Sequence, residues 1–183
     1  LSRYGIEPDL VVLGKGLGNG VPVAAVIGRR DVFDALEYGE GSDTWSANPL
    51  CCAAVLATLD AFTDGTVMDN CRASSAIIEE GLIALKDLPF VGHVRGEKGG
   101  MVWGVDFRDY AGKTGAEWAN AAILACYHGD GDGIHLLGPL SKKVVRISPP
   151  LTITPSEARA AMGLMTKCLG SLIGVAEPAM VGV

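Results

Sequence analysis

A lysine between two glycines is the residue in this sequence best suited to covalent chemistry. Lys15 lies between Gly14 and Gly16, directly after the strand-type run 9–13. The glycines leave the backbone around the lysine without side-chain cover, so a bulky ligand can approach its amine. Burial beside such a ligand favours the neutral, nucleophilic amine, which can form a Schiff base with a carbonyl group. Lys15 is therefore a candidate for Schiff-base chemistry.

Other glycine-rich loops contain lysine for different reasons. The Gly-Lys-Gly sequence resembles part of a Walker phosphate loop, but neither Ser nor Thr follows Lys15 and the upstream glycine spacing is absent. The segment from Gly14 onward also contains no Gly-x-Gly-x-x-Gly dinucleotide fingerprint in any frame. A solvated lysine in a flexible turn stays open as an alternative from composition alone.

The remaining titratable and thiol groups indicate no metal site. Cys51 and Cys52 are adjacent on a helix of small residues, without a further Cys or His pair at metal-binding spacing, which favours small buried thiols. Residues 130–133 resemble half of a calcium loop but lack the glutamate that completes one, and are predicted to form a turn. The three histidines stand at irregular spacings, at His93, His128 and His135.

The elements that position these residues alternate between strands and helices. A second strand is predicted at 21–28, a short helix at 31–37 and a loop at 38–47. Asn48 and Pro49 are typical of a helix start, here for 50–62. Three more helices begin with capping patterns, at Thr66 with Asp69, Thr114 with Glu117, and Thr154 with Glu157. Short β-type runs are found at 91–94, 101–107, 134–137 and 144–147.

Composition excludes several functional classes. The chain has 183 residues, is 49% hydrophobic and carries a net charge of -6, so it can bury a core and lacks the basic surface that nucleic acids require. No apolar run is long enough to span a membrane, and no signal peptide is recognisable. The five cysteines favour a reducing compartment, by default the cytoplasm. Because the sequence begins at Leu1 rather than Met, we expect a piece of a longer protein.

Four segments, in order along the chain, resemble the class III, or ornithine and acetylornithine type, pyridoxal-phosphate aminotransferases. The first, 4–28, is similar to the family's lysine segment, and the second, 44–54, to its threonine segment followed by Asn-Pro-Leu and an Ala-rich helix. The third, Val94-Arg95-Gly96 with 101–105, resembles the family's Val-Arg-Gly strand pair. The last, 145–154, resembles its late Arg-x-x-Pro-Pro-Leu motif.

This resemblance implies a cofactor and a role for three residues. Lys15 would hold pyridoxal 5'-phosphate as a Schiff base and later move a proton as a free amine. Thr44 would bind the cofactor phosphate, across the interface of a homodimer with a shared active site. Arg146 would clamp the substrate carboxylate with both arms of its guanidinium, although an arginine paired with an acidic neighbour at a sheet edge is the open alternative. A carboxylate at Asp43, next to Thr44, would repel a phosphate unless it is directed elsewhere.

The resemblance also implies a fold and an activity. The fold would be α/β, a fold-type-I pyridoxal-phosphate transferase, with residues 1–63 ending the large, mostly parallel-sheet domain and 64–183 forming the small α+β C-terminal domain. The activity would be transfer of an amino group from an amino acid or an ω-amine to a 2-oxo acid, with this fragment alone inactive. A decarboxylase-transaminase or an aminomutase of the same fold, or a truncated non-catalytic chain, are the alternatives.

Overall fold

The computed structural model describes residues 4–96, 99–139 and 141–176. Leu1, on which the expectation of a longer protein rests, lies outside these ranges. The chain divides into two compact units, residues 1–65 and 66–183. This division falls two residues after the boundary predicted from the sequence. The assignment of the units to a large and a small domain stays a prediction.

The first unit contains a β-hairpin and two helices. Strands β1 (Leu10–Leu13) and β2 (Ala25–Gly28) pair antiparallel, with Leu10 opposite Gly28. Helix α1 (Arg30–Phe33) is a single turn, and helix α2 (Pro49–Asp60) is longer. The Asn48 side chain caps α2 as predicted, by accepting a hydrogen bond from the Leu50 amide at 3.0 Å.

Much of the apolar surface of the first unit is exposed. Val12 on β1 and Ile27 on β2 are 74% and 59% accessible, and Leu50 at the start of α2 is 72% accessible. In the described part of this unit, no hydrophobic side chain belongs to the buried core. A two-stranded hairpin cannot cover both of its own faces, so this unit presents surface suited to further strands or a partner.

The second unit is built around a three-stranded antiparallel sheet. Its order along the chain is α3 (Thr66–Ala84), β3 (Val91–Gly96), β4 (Trp103–Phe107), α4 (Gly115–His128), β5 (Val144–Ile147), α5 (Pro155–Ser171) and the short α6 (Ile173–Ala176). The strands are hydrogen-bonded in the order β3-β4-β5, with β4 in the centre. The unit is therefore of the α+β type that the sequence predicts.

One face of this sheet forms the core. The side chains of Trp103, Val105 and Phe107 on β4 are buried, whereas Gly104 and Asp106 lie on the opposite face. Helices α3 and α4 pack against the sheet, and α5 packs against both helices. The alternation of buried and half-buried residues along β4 thus separates a helix-covered face from an outer face.

The predicted helix starts at Thr114 and Thr154 are confirmed. Each threonine hydroxyl accepts a hydrogen bond from the backbone amide three residues later, that of Glu117 or Glu157. Each glutamate in turn accepts a bond from the threonine backbone amide, at 2.7 Å and 2.8 Å. These hydrogen bonds lower the pKa of both glutamates. Helix α3 has Thr66 as its first residue, one position earlier than a cap at Thr66 predicts.

Three predicted elements differ from the structure. The prediction of a strand at 134–137 is wrong, because the Ile134 amide donates to the Cys126 carbonyl at 2.7 Å and this segment continues without a strand partner. The second strand begins at Ala25 rather than at 21, since Pro22 has no amide to donate. The helix predicted at 31–37 ends at Phe33.

All five cysteines lie within the described residues and carry free thiols. Burial raises the pKa of the Cys126 thiol to about 12, and neighbouring Cys168 adds to the shift, so this thiol stays protonated and unreactive. Cys51 is half-buried and Cys52 is exposed, so the predicted burial of this pair is wrong for Cys52. In the described part of the chain, no helix has the length and apolarity required to cross a membrane.

Candidate active site

Lys15 begins a tight turn at the end of β1. The Leu17 amide donates to the Gly14 carbonyl at 3.1 Å, and the Gly18 amide donates to the Lys15 carbonyl at 3.3 Å. Lys15 itself has a φ of 50°, in the left-handed region that few residues other than glycine adopt. Strained backbone of this kind costs about 1–3 kcal/mol and is concentrated at functional sites.

The space around the Lys15 backbone is open. A Cβ atom added at Gly16 would meet nothing within 4 Å, and one added at Gly14 would meet only the Val23 carbonyl oxygen at 3.8 Å. Lys15 is exposed, and none of the described residues forms an ion pair or a hydrogen bond with its amine. The amine is therefore free to react with a ligand that approaches the end of β1.

Gly18 closes the same turn for a steric reason. Its Cβ would lie 2.1 Å from the Val21 carbonyl oxygen and 2.4 Å from Cγ1 of Val23. No side chain fits at such distances, so only glycine allows the chain to return from Lys15 into β2. The turn that presents the lysine thus depends on a glycine as well as on the strands.

Thr44 lies in a loop that Asp43 organises. One carboxylate oxygen of Asp43 accepts a hydrogen bond from the Trp45 amide, and the other accepts one from the Ser46 hydroxyl, both at 2.7 Å. These bonds lower the pKa of Asp43, the Ser46 hydroxyl having the larger effect. The loop conformation is therefore favoured above the ordinary pKa of an aspartate and loses this support as the pH falls through the lowered value.

The Asp43 carboxylate is directed to its own loop. Both of its oxygens are engaged by donors of that loop, as the sequence argument requires. The Thr44 hydroxyl and amide have no hydrogen-bond partner among the described residues, and Thr44 is exposed. They are available as donors to an anion.

Arg146 lies on β5, on the outer face of the sheet. It is opposite Gly104 of β4, and it lines a cavity of about 290 Å³ together with His135, Ser148 and Met162. The guanidinium is exposed and has no carboxylate partner among the described residues. The open alternative, an arginine held by an acidic neighbour at a sheet edge, therefore has no support within residues 66–176 where the structure describes them.

The sequence motifs indicate no site role for one charged residue of the same face, Arg95. Arg95 belongs to the Val94-Arg95-Gly96 motif, and the structure places it opposite Gly104 on the side of β4 away from Arg146. The alternation of β3 indicates that Arg95 faces away from the core, but only the strand order shows that the two arginines flank one glycine. The sequence predicts neither that order nor that pairing.

The predicted site residues fall in different units. Lys15 and Thr44 belong to residues 1–65, and Arg146 belongs to residues 66–183. Within the first unit, no hydrogen bond joins Lys15 and Thr44 among the residues that the structure describes. The two residues thus provide separate reactive groups.

Comparison with known proteins identifies the family. The family model Aminotransferase class-III matches residues 1–169. The chain belongs to the class-III aminotransferases. This confirms the resemblance that the four sequence motifs indicate.

Individual class-III relatives match almost the whole chain. An acetylornithine aminotransferase of Bacillus subtilis (strain 168) is 30% identical over 168 residues, 92% of this chain and 40% of the relative. An (R)-1-hydroxy-2-aminoethylphosphonate ammonia-lyase of Vibrio splendidus (strain 12B01) is 32% identical over 175 residues, 93% of this chain and 35% of the relative. The chain thus spans about two fifths or less of these relatives' length.

The structural comparison confirms the predicted fold. An ornithine aminotransferase from Toxoplasma gondii ME49 superposes with a TM-score of 0.82 at 27% identity, covering 95% of this chain and 39% of that chain. The architecture is therefore that of the fold-type-I transferases. Class-III aminotransferases such as the ornithine and acetylornithine enzymes depend on pyridoxal phosphate, which confirms the cofactor at the level of the family.

The residues of this chain fit the parts of pyridoxal phosphate that they would meet. Lys15 offers an unpaired primary amine to an aldehyde, and the missing side chain at Gly16 leaves space beside it. Thr44 offers a hydroxyl and an amide to the phosphate while Asp43 is turned to its own loop. The donor set is therefore chemically consistent with the family's cofactor.

Proposed function

We propose that the protein containing this chain transfers an amino group from an amino acid or an ω-amine to a 2-oxo acid, with pyridoxal phosphate held by Lys15. The observation that carries this proposal is the unpaired Lys15 amine in the open turn between Gly14 and Gly16. Family membership supports it, since the match extends across residues 1–169.

The role of Lys15 follows from the freedom of its Nζ atom. When bound, pyridoxal phosphate supplies the electron sink that stabilises negative charge at the substrate Cα. Lys15 would hold the cofactor through Nζ. As a free amine, the same Nζ would be suited to accept a proton from the substrate Cα and to donate it again, acting as both base and acid.

Thr44 and Arg146 would orient the two ends of the reactants. The Thr44 hydroxyl and amide would donate hydrogen bonds to the phosphate, and the Arg146 guanidinium would donate two parallel bonds to the acidic group of the substrate. In the family the threonine serves the partner's site, so we also propose a homodimer. The exposed apolar side chains of the first unit, such as Val12 and Ile27, support a partner surface. The five free thiols favour a cytoplasmic location.

An amino-transfer assay tests this function directly. The full-length protein, loaded with pyridoxal phosphate, is incubated with a panel of ¹⁵N-labelled amino acids and ω-amines and with pyruvate or 2-oxoglutarate. We expect label in the amino acid formed from the acceptor. Release of carbon dioxide would favour a decarboxylase. A ¹⁵N-labelled amino group that moves to another carbon of the same molecule would favour an aminomutase. Free ammonia without labelled product would favour a lyase.

The ammonia-lyase outcome is a second candidate function. The Vibrio splendidus relative bears that name, and its substrate by that name carries a phosphonate. The observation that favours it here is the pair of arginines that flanks Gly104, neither of which has an ion-pair partner among the residues that the structure describes. The same assay separates the two functions, because a lyase needs no acceptor.

Replacing Arg146 with alanine should weaken the binding of substrates by their acidic group. Because a charged hydrogen-bond pair contributes about 1.5–3 kcal/mol, kcat/KM for acidic donors is expected to fall about 10- to 100-fold. A simple alkylamine should be affected much less. Arg159, an exposed arginine of α5 without an ion-pair partner among the described residues, provides the control variant R159A. Equal losses for the acidic donor and the alkylamine would contradict the assignment.

A further inference from the structure

Two arginines and one glycine form a row across the outer face of the sheet. Arg95 of β3 is opposite Gly104 of β4, and Gly104 is opposite Arg146 of β5. Residues directly opposite one another point to the same face of a sheet. The next row along, formed by Val94, Val105 and Val145, points to the core. Arg95 and Arg146 therefore project from the same side, one on each flank of Gly104.

Arg95, Gly104 and Arg146 line one open cavity on this face of the sheet. A Cβ added at Gly104 would lie 3.2 Å from Nε and 3.4 Å from Cγ of Arg95, and 3.3 Å from Cγ1 of Val144 on β5. The Arg95 side chain thus lies across β4, toward β5, rather than away from it. Neighbouring strands are separated by about 4.8 Å, so guanidinium groups from β3 and β5 can both reach the space above β4.

Among the described residues, no acidic side chain pairs with either arginine of this row. Asp106, the acidic residue two positions along β4 on the same face, is paired with Lys143 at 3.4 Å. Two guanidinium groups directed to one space repel each other unless an anion lies between them. The row is therefore suited to an anionic ligand.

We propose that Arg95 and Arg146 form a single anion subsite above Gly104 that takes a doubly charged tetrahedral group, a phosphonate or a phosphate monoester, of an amine substrate. The charge of such a group matches two guanidinium groups, and its three oxygens can accept hydrogen bonds from both of them. A carboxylate has one negative charge and two oxygens, so it needs only Arg146. Arg95 then supplies the second guanidinium group that a dianionic substrate requires. This inference rests on the proposed function, since Arg146 is placed there in the substrate site.

Ligand binding tests the subsite independently of turnover. Ethylphosphonate and propanoate have the same ethyl group and differ in the acidic group attached to it. Neither has an amine that could react. Their dissociation constants are measured by calorimetry on the full-length protein loaded with pyridoxal phosphate. The measurement is made at about pH 9, because an alkylphosphonate loses its second proton at a higher pH than a phosphate monoester does. We expect ethylphosphonate to bind at least about tenfold more tightly than propanoate.

Variants of the row assign the preference to Arg95. Replacing Arg95 with alanine should weaken the binding of ethylphosphonate about 10- to 100-fold and that of propanoate by less than about threefold. Arg95→Lys keeps the charge but loses the paired N–H donors of the guanidinium, so it should recover only part of the binding. Gly104→Ala should also weaken ethylphosphonate, because the added methyl group displaces Arg95 without removing it. Arg159→Ala is the control and should change neither constant.

Several outcomes would overturn the subsite. An unchanged dissociation constant of ethylphosphonate in Arg95→Ala would place Arg95 outside the subsite. Equally weakened binding of both ligands would show that Arg95 has only a general electrostatic effect. Inorganic phosphate that binds as tightly as ethylphosphonate, with the same dependence on Arg95, would assign the site to a free ion instead of a substrate. If Arg95 controls ethylphosphonate binding while Lys15 carries no cofactor, the proposed function fails and the subsite stands. If amino transfer occurs without a phosphonate preference, only the subsite fails.

Discussion

Replacing Lys15 with alanine should reduce amino transfer by the full-length protein at least about 10³-fold in kcat/KM. The variant loses both the covalent attachment of the cofactor and the amine that moves the Cα proton. The expected loss is large because the described residues provide no second amine in the turn that follows β1. The measurement is the rate of ¹⁵N transfer at saturating pyridoxal phosphate, compared with the wild-type rate.

Lys142 offers a matched control for this experiment. It is an exposed lysine with a φ of 65°, close to the 50° of Lys15, so Lys142→Ala removes the same side chain from a similar backbone conformation. We expect Lys142→Ala to keep wild-type activity. Activity within about tenfold of wild type in Lys15→Ala would show that this amine is not the acid-base group.

Replacing Trp118 with alanine should have the largest effect on stability, about 3–5 kcal/mol. Trp118 is 1% accessible, and its ring stacks on Phe90 with centroids 4.4 Å apart. Its indole Nε1 donates to the Tyr110 carbonyl at 2.9 Å, and Lys113 Nζ lies 4.8 Å from the ring. The change therefore opens a cavity between α4 and the sheet and removes a partly buried hydrogen bond.

The loss is measured as the free energy of local opening, by amide hydrogen exchange in peptides that cover residues 101–128 of the full-length protein. Trp118→Phe keeps the stack and loses the indole donor, so it should cost markedly less. Trp45→Ala is the second control, because Trp45 is 78% accessible and should contribute little. A Trp118→Ala variant with unchanged exchange would contradict this account of the core.

The capping residues show what the sequence predicts well. At Thr114 and Thr154 the reciprocal hydrogen bonds lie within four consecutive residues, so the local pattern determines the structure. The strand at 144–147 is likewise predicted at both ends. Residues 134–137 have the same apolar character but bind to the end of α4 through the Ile134 amide, a non-local choice that periodicity does not encode.

In the candidate site, too, local features can be predicted from the sequence and non-local ones cannot. Lys15 is noticeable in the sequence because glycines flank it, and its role is predicted from the resemblance of segment 4–28 to the family's lysine segment. The structure adds the left-handed φ of Lys15. The orientation of Asp43 depends on which donors of its own loop approach it, so the sequence leaves that question open. The relation of Arg95 to Arg146 depends on strand order across β4, and residues about 50 positions apart can be paired only once that order is known.

The central claim is that Lys15 holds pyridoxal phosphate. The most direct measurement adds the cofactor to the full-length protein, records the visible spectrum, reduces the complex with borohydride and maps the labelled peptide by mass spectrometry. We predict an absorption band at about 400 nm, lost on reduction, and a pyridoxyl group on Lys15. A folded full-length protein that gives no band and no label, or that carries the label on another lysine, would contradict the claim.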